Sequence, residues 1–190
     1  MSPSTPRRFL FLISSARRNG NTEQLARRAA ARLPAQVAQE WINLAELKLP
    51  PFADLRHASD KAWAPAVEGP ARQLLEATLA ATDLVMVTPV YWYSLPTAAK
   101  LYLDHWTTWL RAPGWDFKAQ MAGKTLWGVS MLSDDDPRFA EPLRDSLRLT
   151  ADYMKMAWGG FLLGAGNRPG DVLDDTKSVA AADDFFRNVS

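Results

Sequence analysis

Apolar positions along the chain fall into short unbroken runs separated by longer stretches with a helical period, the alternation expected of βαβ units around a parallel sheet. The first run, FLFLI at Phe9–Ile13, is apolar at every position. A strand with one wet face would alternate, so this one is predicted to be central and covered on both faces. Thr22–Leu33 carries Leu25, Ala29 and Leu33, flanked by Ala26 and Ala30, on one stripe, with Glu23, Arg27, Arg28 and Arg32 around the rest. That period predicts an amphipathic helix. Val37–Leu44 contains Gln39 and Glu40 and suits a sheet edge.

From 45 to 70 the periodicity fails and Pro50, Pro51, Pro65 and Pro70 accumulate, which predicts an irregular excursion of the kind that is either functional or loosely held. Ala71–Ala81 resumes a helix through Leu74, Leu75, Thr78 and Leu79. Leu84–Val87 is a second buried strand, ended at Thr88 because a residue before proline is pushed toward extended geometry. Pro96 fits a first helical turn, and Thr97–Leu110 is apolar on most sides through Tyr102, Leu103, Trp106 and Trp109, so this helix is expected to be covered twice. Thr125–Met131 and Gly160–Gly164 supply two further strands with Phe139–Ala157 as the helix between them, and Val179, Ala182, Phe186 and Val189 mark a last helix. Five strands and five helices in this order predict one α/β domain over 1–190, a doubly wound three-layer sandwich around a five-stranded parallel sheet of order 2-1-3-4-5. Ligands of such a fold bind at the carboxyl ends of the strands, near the first and third.

Composition narrows the partners. At 190 residues, with 47% hydrophobic and 23% charged positions, the chain has neither a disordered nor a membrane composition. Its net charge of +1 supplies no field for nucleic acid or an anionic bilayer, so any recognition of anions must be local. The absence of cysteine excludes disulfides, a thiolate nucleophile and cysteine-ligated metal or iron-sulfur sites. Arg7 and Arg8 ahead of FLFLI, followed by Ser14, Ser15 and Ala16, imitate a signal peptide, but five apolar residues fall short of the ~7 to 15 that its core requires. No stretch approaches the ~18 apolar residues of a membrane span, and a cytoplasmic protein is expected.

Two segments carry chemistry. SSARRNGNT, Ser14–Thr22, joins the first strand to the first helix, where unpaired backbone N–H groups and the positive end of a helix dipole favour phosphate. Ser15 and Thr22 add hydroxyls, Asn19 and Asn21 amides, Arg17 a charge, and Gly20 a tight turn. The competing reading is a polar turn capped by Asn21 or Thr22. Neither GxGxxG nor GxxxxGK[ST] is present, which removes the dinucleotide fingerprint and the P-loop and leaves a mononucleotide phosphate. TPVYWYSLP, Thr88–Pro96, follows the third strand with Tyr91, Trp92 and Tyr93 in a row. Consecutive side chains diverge, so at least one ring should be exposed and able to stack on a planar ligand; a hydrophobic plug or a subunit contact is the alternative.

SSARRNGNT resembles the GSxRxxGNT phosphate loop of the NADPH-dependent FMN reductase and flavodoxin-like NAD(P)H:quinone oxidoreductase family, and VTPVYWYSLPTAAKLYLDHW is similar to its PxYWxSxPxxxKxxxD motif. The likeness covers roughly residues 8–130, the second motif being the more specific. It implies an FMN cofactor reduced by NADPH or NADH, with Ser15, Arg17, Asn21 and Thr22, in a loop with Asn19 and Gly20, at the phosphate. Pro89, Val90, Tyr91, Trp92 and Tyr93 would flank the isoalloxazine, and the loop holding Ser133 would add a contact. It further implies a ping-pong hydride transfer to a small planar acceptor such as a quinone, free flavin or azo compound, with no catalytic side chain because the flavin carries the reaction. A homodimer or dimer of dimers is also implied, with the flavin near the interface, which would account for the second covering of the Trp106 and Trp109 helix. The rival is a flavodoxin-type electron carrier that binds FMN without a substrate site. Ser14 departs from the motif's first glycine, and Asp134, Asp135 and Asp136 occupy a loop that commonly bears glycine; they read as a solvated helix N-terminus, or as charges that would disfavour the reduced flavin if they faced it. His57 and His105, the only histidines, could each donate a proton to a quinone oxygen, but a surface or packing role is the favoured reading for both.

Overall fold

Strand β1 (Arg8–Ile13) lies at the centre of the sheet because both of its faces are apolar. Phe9, Phe11 and Ile13 enter the core on one side, Leu10 and Leu12 the core on the other, and none is more than 5% exposed. The computed structural model describes residues 6–58, 63–134 and 136–189. Around β1 lie β2 (Ala38–Asn43), β3 (Asp83–Val87), β4 (Thr125–Leu132) and β5 (Ala157–Ala165), all parallel and in the order β2-β1-β3-β4-β5 that the sequence predicts. The polar strand, β2, takes an edge.

Helices cover both faces. On one side α1 (Asn21–Ala30) packs with α7 (Thr176–Phe185) over Phe9, Phe11, Val85 and Val129. Its buried alanines, Ala26, Ala29 and Ala30, let the helix approach the strands closely. On the other side α2 (Gly69–Ala80), α3 (Thr97–Trp109) and α5 (Glu141–Tyr153) cover Leu10, Leu12, Leu84, Met86 and Leu126. Two short helices, α4 (Phe117–Met121) and α6 (Asp171–Asp174), were not expected.

Within the chain, α3 is covered on one side by the sheet and on the other by α4 and the excursion. Phe117 of α4 meets Trp106 and Trp109 edge-on at centroid distances of 5.5 and 5.4 Å. His105 bonds through Nε2 to the carbonyl of Pro50 at 2.9 Å, with Phe52 edge-on at 6.3 Å, so this histidine ties the excursion to α3. His57 is exposed on that excursion. Tyr102 is fully buried. Its hydroxyl lies 2.9 Å from Thr78 Oγ1, and since Thr78 donates to the Leu74 carbonyl at 2.7 Å, Tyr102 is the donor of the pair.

The helix expected over Phe139–Ala157 is corrected. A 3₁₀ turn (Pro137–Ala140) precedes α5, Lys155 reverses the chain at φ 57°, and β5 is already extended from Ala157. Gly159 serves close packing here and does not end the strand: a Cβ on it would lie 2.2 to 2.5 Å from the Trp127 ring, beside an irregularity in the β4–β5 register. Trp127 is itself held by a 2.9 Å bond from Nε1 to the buried carboxylate of Asp83. Among the described residues no helix is long and apolar enough to cross a membrane.

Candidate functional site

The carboxyl end of β1 delivers the chain into Ser14 and Ser15, both buried, and then into α1. Ser14 N–H bonds the Val87 carbonyl at 3.0 Å, which pins the loop to β3, and Ser15 Oγ accepts the Arg17 N–H at 3.1 Å. Gly20 is the residue before the helix and supplies no side-chain cap. The first-turn N–H groups of Asn21, Thr22 and Glu23 are therefore left without an intrahelical partner at the positive end of the dipole. Arg18 pairs with Glu46 at 2.8 Å, whereas Arg17 has no ion pair among the described residues. One guanidinium is thus spent on the protein and its neighbour is available for an anion.

Beyond β3, Thr88 and Val90 continue the ladder to β4 through N–H bonds to Val129 and Met131 carbonyls at 2.9 and 3.1 Å. Tyr91 and Ser94 then close a two-residue hairpin with reciprocal backbone bonds of 3.1 Å. Its tip residues, Trp92 and Tyr93, both have positive φ (49° and 62°), the backbone of a tight primed turn that normally takes asparagine and glycine. The turn separates the three rings. Tyr91 faces the β1 loop, Tyr93 packs edge-on against Phe139 at 5.4 Å, and Trp92 is 92% exposed.

Between these loops lies a cleft of about 240 Å³. Of the residues singled out in the sequence, it gathers Ser15, Arg17, Gly20, Asn21, Thr22, Pro89, Val90, Tyr91 and Ser133. Asn19, Trp92 and Tyr93 are not on its walls. Asn19 instead holds the turn together, its N–H bonding Glu23 Oε2 at 2.9 Å and its carbonyl accepting Gln24 Nε2 at 2.8 Å. Three lining residues were missed: Met131, Gly166 and Asn167. The signal is present in the sequence, because GNRPG (166–170) follows the last strand at the same carboxyl edge.

Past Ser133, Asp134 and Asp136 are off the walls of the cleft. Asp136 caps the 3₁₀ turn by accepting the Arg138 N–H at 3.0 Å, and the Arg138 guanidinium holds its carboxyl below the usual range. Asp134 accepts the Asp136 N–H and borders a different hollow, with Pro137 and Leu163. Asp135 lies outside the described residues.

A family model for NADPH-dependent FMN reductases matches residues 7–159. The chain belongs to that family. A curated protein of Bacillus subtilis (strain 168), YwqN, provisionally described as an NAD(P)H-dependent FMN-containing oxidoreductase, is 34% identical over 176 residues, 92% of this chain and 94% of its own. The structure of the Trp repressor binding protein from Bacillus subtilis is 27% identical, covers 96% of this chain and 99% of its own, and superposes with a TM-score of 0.75. An FMN-dependent NADH-azoreductase from Bacillus anthracis in complex with FMN, 10% identical with a TM-score of 0.66 over 97% of this chain and 100% of its own, shares the flavodoxin-like fold. Membership of the NADPH-dependent FMN reductases makes the chain a flavoprotein oxidoreductase with FMN as cofactor and a reduced nicotinamide as donor. The walls described above fit that cofactor: free helical N–H groups and an arginine with no ion pair among the described residues at one end, Tyr91 at the other.

Proposed function

We propose that this cytoplasmic FMN reductase passes hydride from NAD(P)H to a small planar acceptor, a quinone, free flavin or azo compound, with donor and acceptor occupying one site in turn. The observation that carries the reading is the span of the cleft, from the uncapped first turn of α1 beside Arg17 to the ring of Tyr91. Bound there, FMN supplies the hydride-accepting and hydride-donating chemistry. The Ser15 and Thr22 hydroxyls, the Arg17 guanidinium and the amides after Gly20 would hold its phosphate by charge-assisted bonds. Pro89, Val90, Tyr91 and Ser133 would border its ring system, and Trp92 and Tyr93 above them would orient a second flat molecule and exclude water. The reading includes a homodimer, which light scattering tests.

The decisive experiment starts from the purified, flavin-loaded protein. Its visible spectrum should bleach with NADPH or NADH under nitrogen and recover on addition of a quinone. Initial rates at several concentrations of both substrates should give parallel double-reciprocal lines; intersecting lines would refute sequential use of one site. Bleaching without turnover would make the protein an electron carrier of the flavodoxin type. Arg17→Ala should weaken FMN by about tenfold while leaving riboflavin, which lacks the phosphate, unaffected.

A further inference from the structure

The amide of Asn21, a candidate phosphate donor by sequence, is otherwise engaged. Its Nδ2 donates to the Arg168 carbonyl at 2.8 Å and its Oδ1 accepts the Gly170 N–H at 2.8 Å. Both polar ends are used at once, and the chemistry of the two partners fixes which end is oxygen and which nitrogen. The side chain bridges residues on either side of Pro169, as a strand's own peptide group would. It therefore joins the start of α1 to the loop between β5 and α6, 147 residues away in sequence.

That loop makes one wall of the cleft through Gly166 and Asn167. Gly166 sits at φ 154°, where a Cβ would come within 2.9 Å of Asp171 Cβ and 3.2 Å of Asn21 Nδ2. The loop is thus shaped around the Asn21 amide. From the other side Asp171 Oδ2 accepts the N–H groups of Asn167 and Arg168 at 3.0 and 2.7 Å. Between these two anchors the Asn167 backbone is held on the wall of the cleft, and its side chain makes no hydrogen bond among the described residues. The match to the reductase family ends at residue 159, before this wall begins.

We propose that Asn21 is a positioning residue: its amide sets the β5–α6 loop so that Asn167 reaches the bound flavin, and it is not a ligand of the phosphate. Only the backbone N–H of Asn21 serves the anion. The inference rests on the reading of the cleft as the FMN site, and its test separates the two.

Asn21→Ala, Asn167→Ala and the double variant are compared in the full-length protein for FMN and riboflavin binding by flavin fluorescence. Loss of the tether should weaken both flavins by a similar factor of about 5 to 10, corresponding to one or two hydrogen bonds. In the Asn167→Ala background the same substitution should cost less than about twofold, because the group it positions is gone. A loss confined to FMN, or effects that simply multiply in the double variant, would overturn the proposal. A second measurement needs no flavin: the Gly170 amide should exchange with solvent about tenfold faster in Asn21→Ala, while amides of the β1 core stay protected. Equal exchange at Gly170 would overturn the tether, whereas a wild type that binds neither flavin but shows the Gly170 effect would sink only the cofactor reading.

Discussion

The tip of the Tyr91–Ser94 hairpin places two bulky residues where the backbone favours small ones, and Trp92→Asn measures what this costs. A left-handed backbone costs an ordinary residue roughly 1–2 kcal/mol, and asparagine recovers part of that because its short side chain bonds locally. Trp92 is 92% exposed, so its removal forfeits almost no buried area. The variant should therefore be more stable by about 0.5–1 kcal/mol, which for a chain of this size raises Tm by about 1–4 °C. The gain should come with a functional loss. One stacking contact is worth about 0.5–1.5 kcal/mol, so KM for a planar quinone should rise about 2- to 12-fold while FMN content stays constant, since Trp92 is off the cleft wall. Calorimetry on flavin-free protein and steady-state kinetics on the loaded enzyme give the two numbers. A fall in Tm of more than about 2 °C would refute the reasoning by showing that the ring is packed against something; repeating the scan at two protein concentrations would show whether that is a second copy.

Gly159→Ala should destabilise by about 1–3 kcal/mol, since the added methyl meets the Trp127 ring, and Trp127 emission should shift in the same variant. Burial pushes the Tyr102 phenol up, so the fold keeps it protonated. A raised acid contributes stability that is complete below the unfolded value of about 10 and is lost as pH rises beyond it; phenolate absorbance should accordingly show a last step that coincides with alkaline unfolding, absent in Tyr102→Phe. The N–H groups of Asn167, and then of Arg168, hold the Asp171 carboxyl below its usual range. A depressed carboxylate stabilises above the unfolded value near ~3.9 and ceases to as pH falls through its lowered value. Flavin release on acidification below about pH 4 should thus become less steep in Asp171→Ala, which should also bind FMN more weakly at neutral pH; matching acid profiles for both proteins would count against the loop's role.

Much of this was legible in the sequence because local composition and tertiary role agreed. FLFLI is continuous because helices lie on both of its faces, and the two motif loops announce themselves by following strands and opening helices. The failures came where a long-range neighbour decided the outcome. The last strand is expected only from Gly160, and its true start at Ala157 depends on Gly159 lying under the Trp127 ring. Phe117 covers Trp106 from a five-residue helix too short to leave a period. Asn21 has the composition of a phosphate donor, and only the fold shows Arg168 and Gly170 in its grasp. That at least one ring of the Tyr91–Tyr93 run is exposed could be read from their adjacency, but nothing in their identity foretells the primed turn that carries Trp92 and Tyr93 off the cleft wall, since its usual residues are absent.

The cleft draws its walls from the segments that end β1, β3, β4 and β5, three of them opening crossovers to another strand and the fourth leading to α6 and α7. On the proposal that this cleft holds FMN, a chain that has not completed its sheet lacks part of the wall, and flavin bound to the purified protein becomes an optical report of molecules that have completed it. At a flavin concentration 100 times Kd the bound state gains about 2.7 kcal/mol over the empty one. Vitamin supply to the host would then set how much of this enzyme survives proteolysis as well as how much is active.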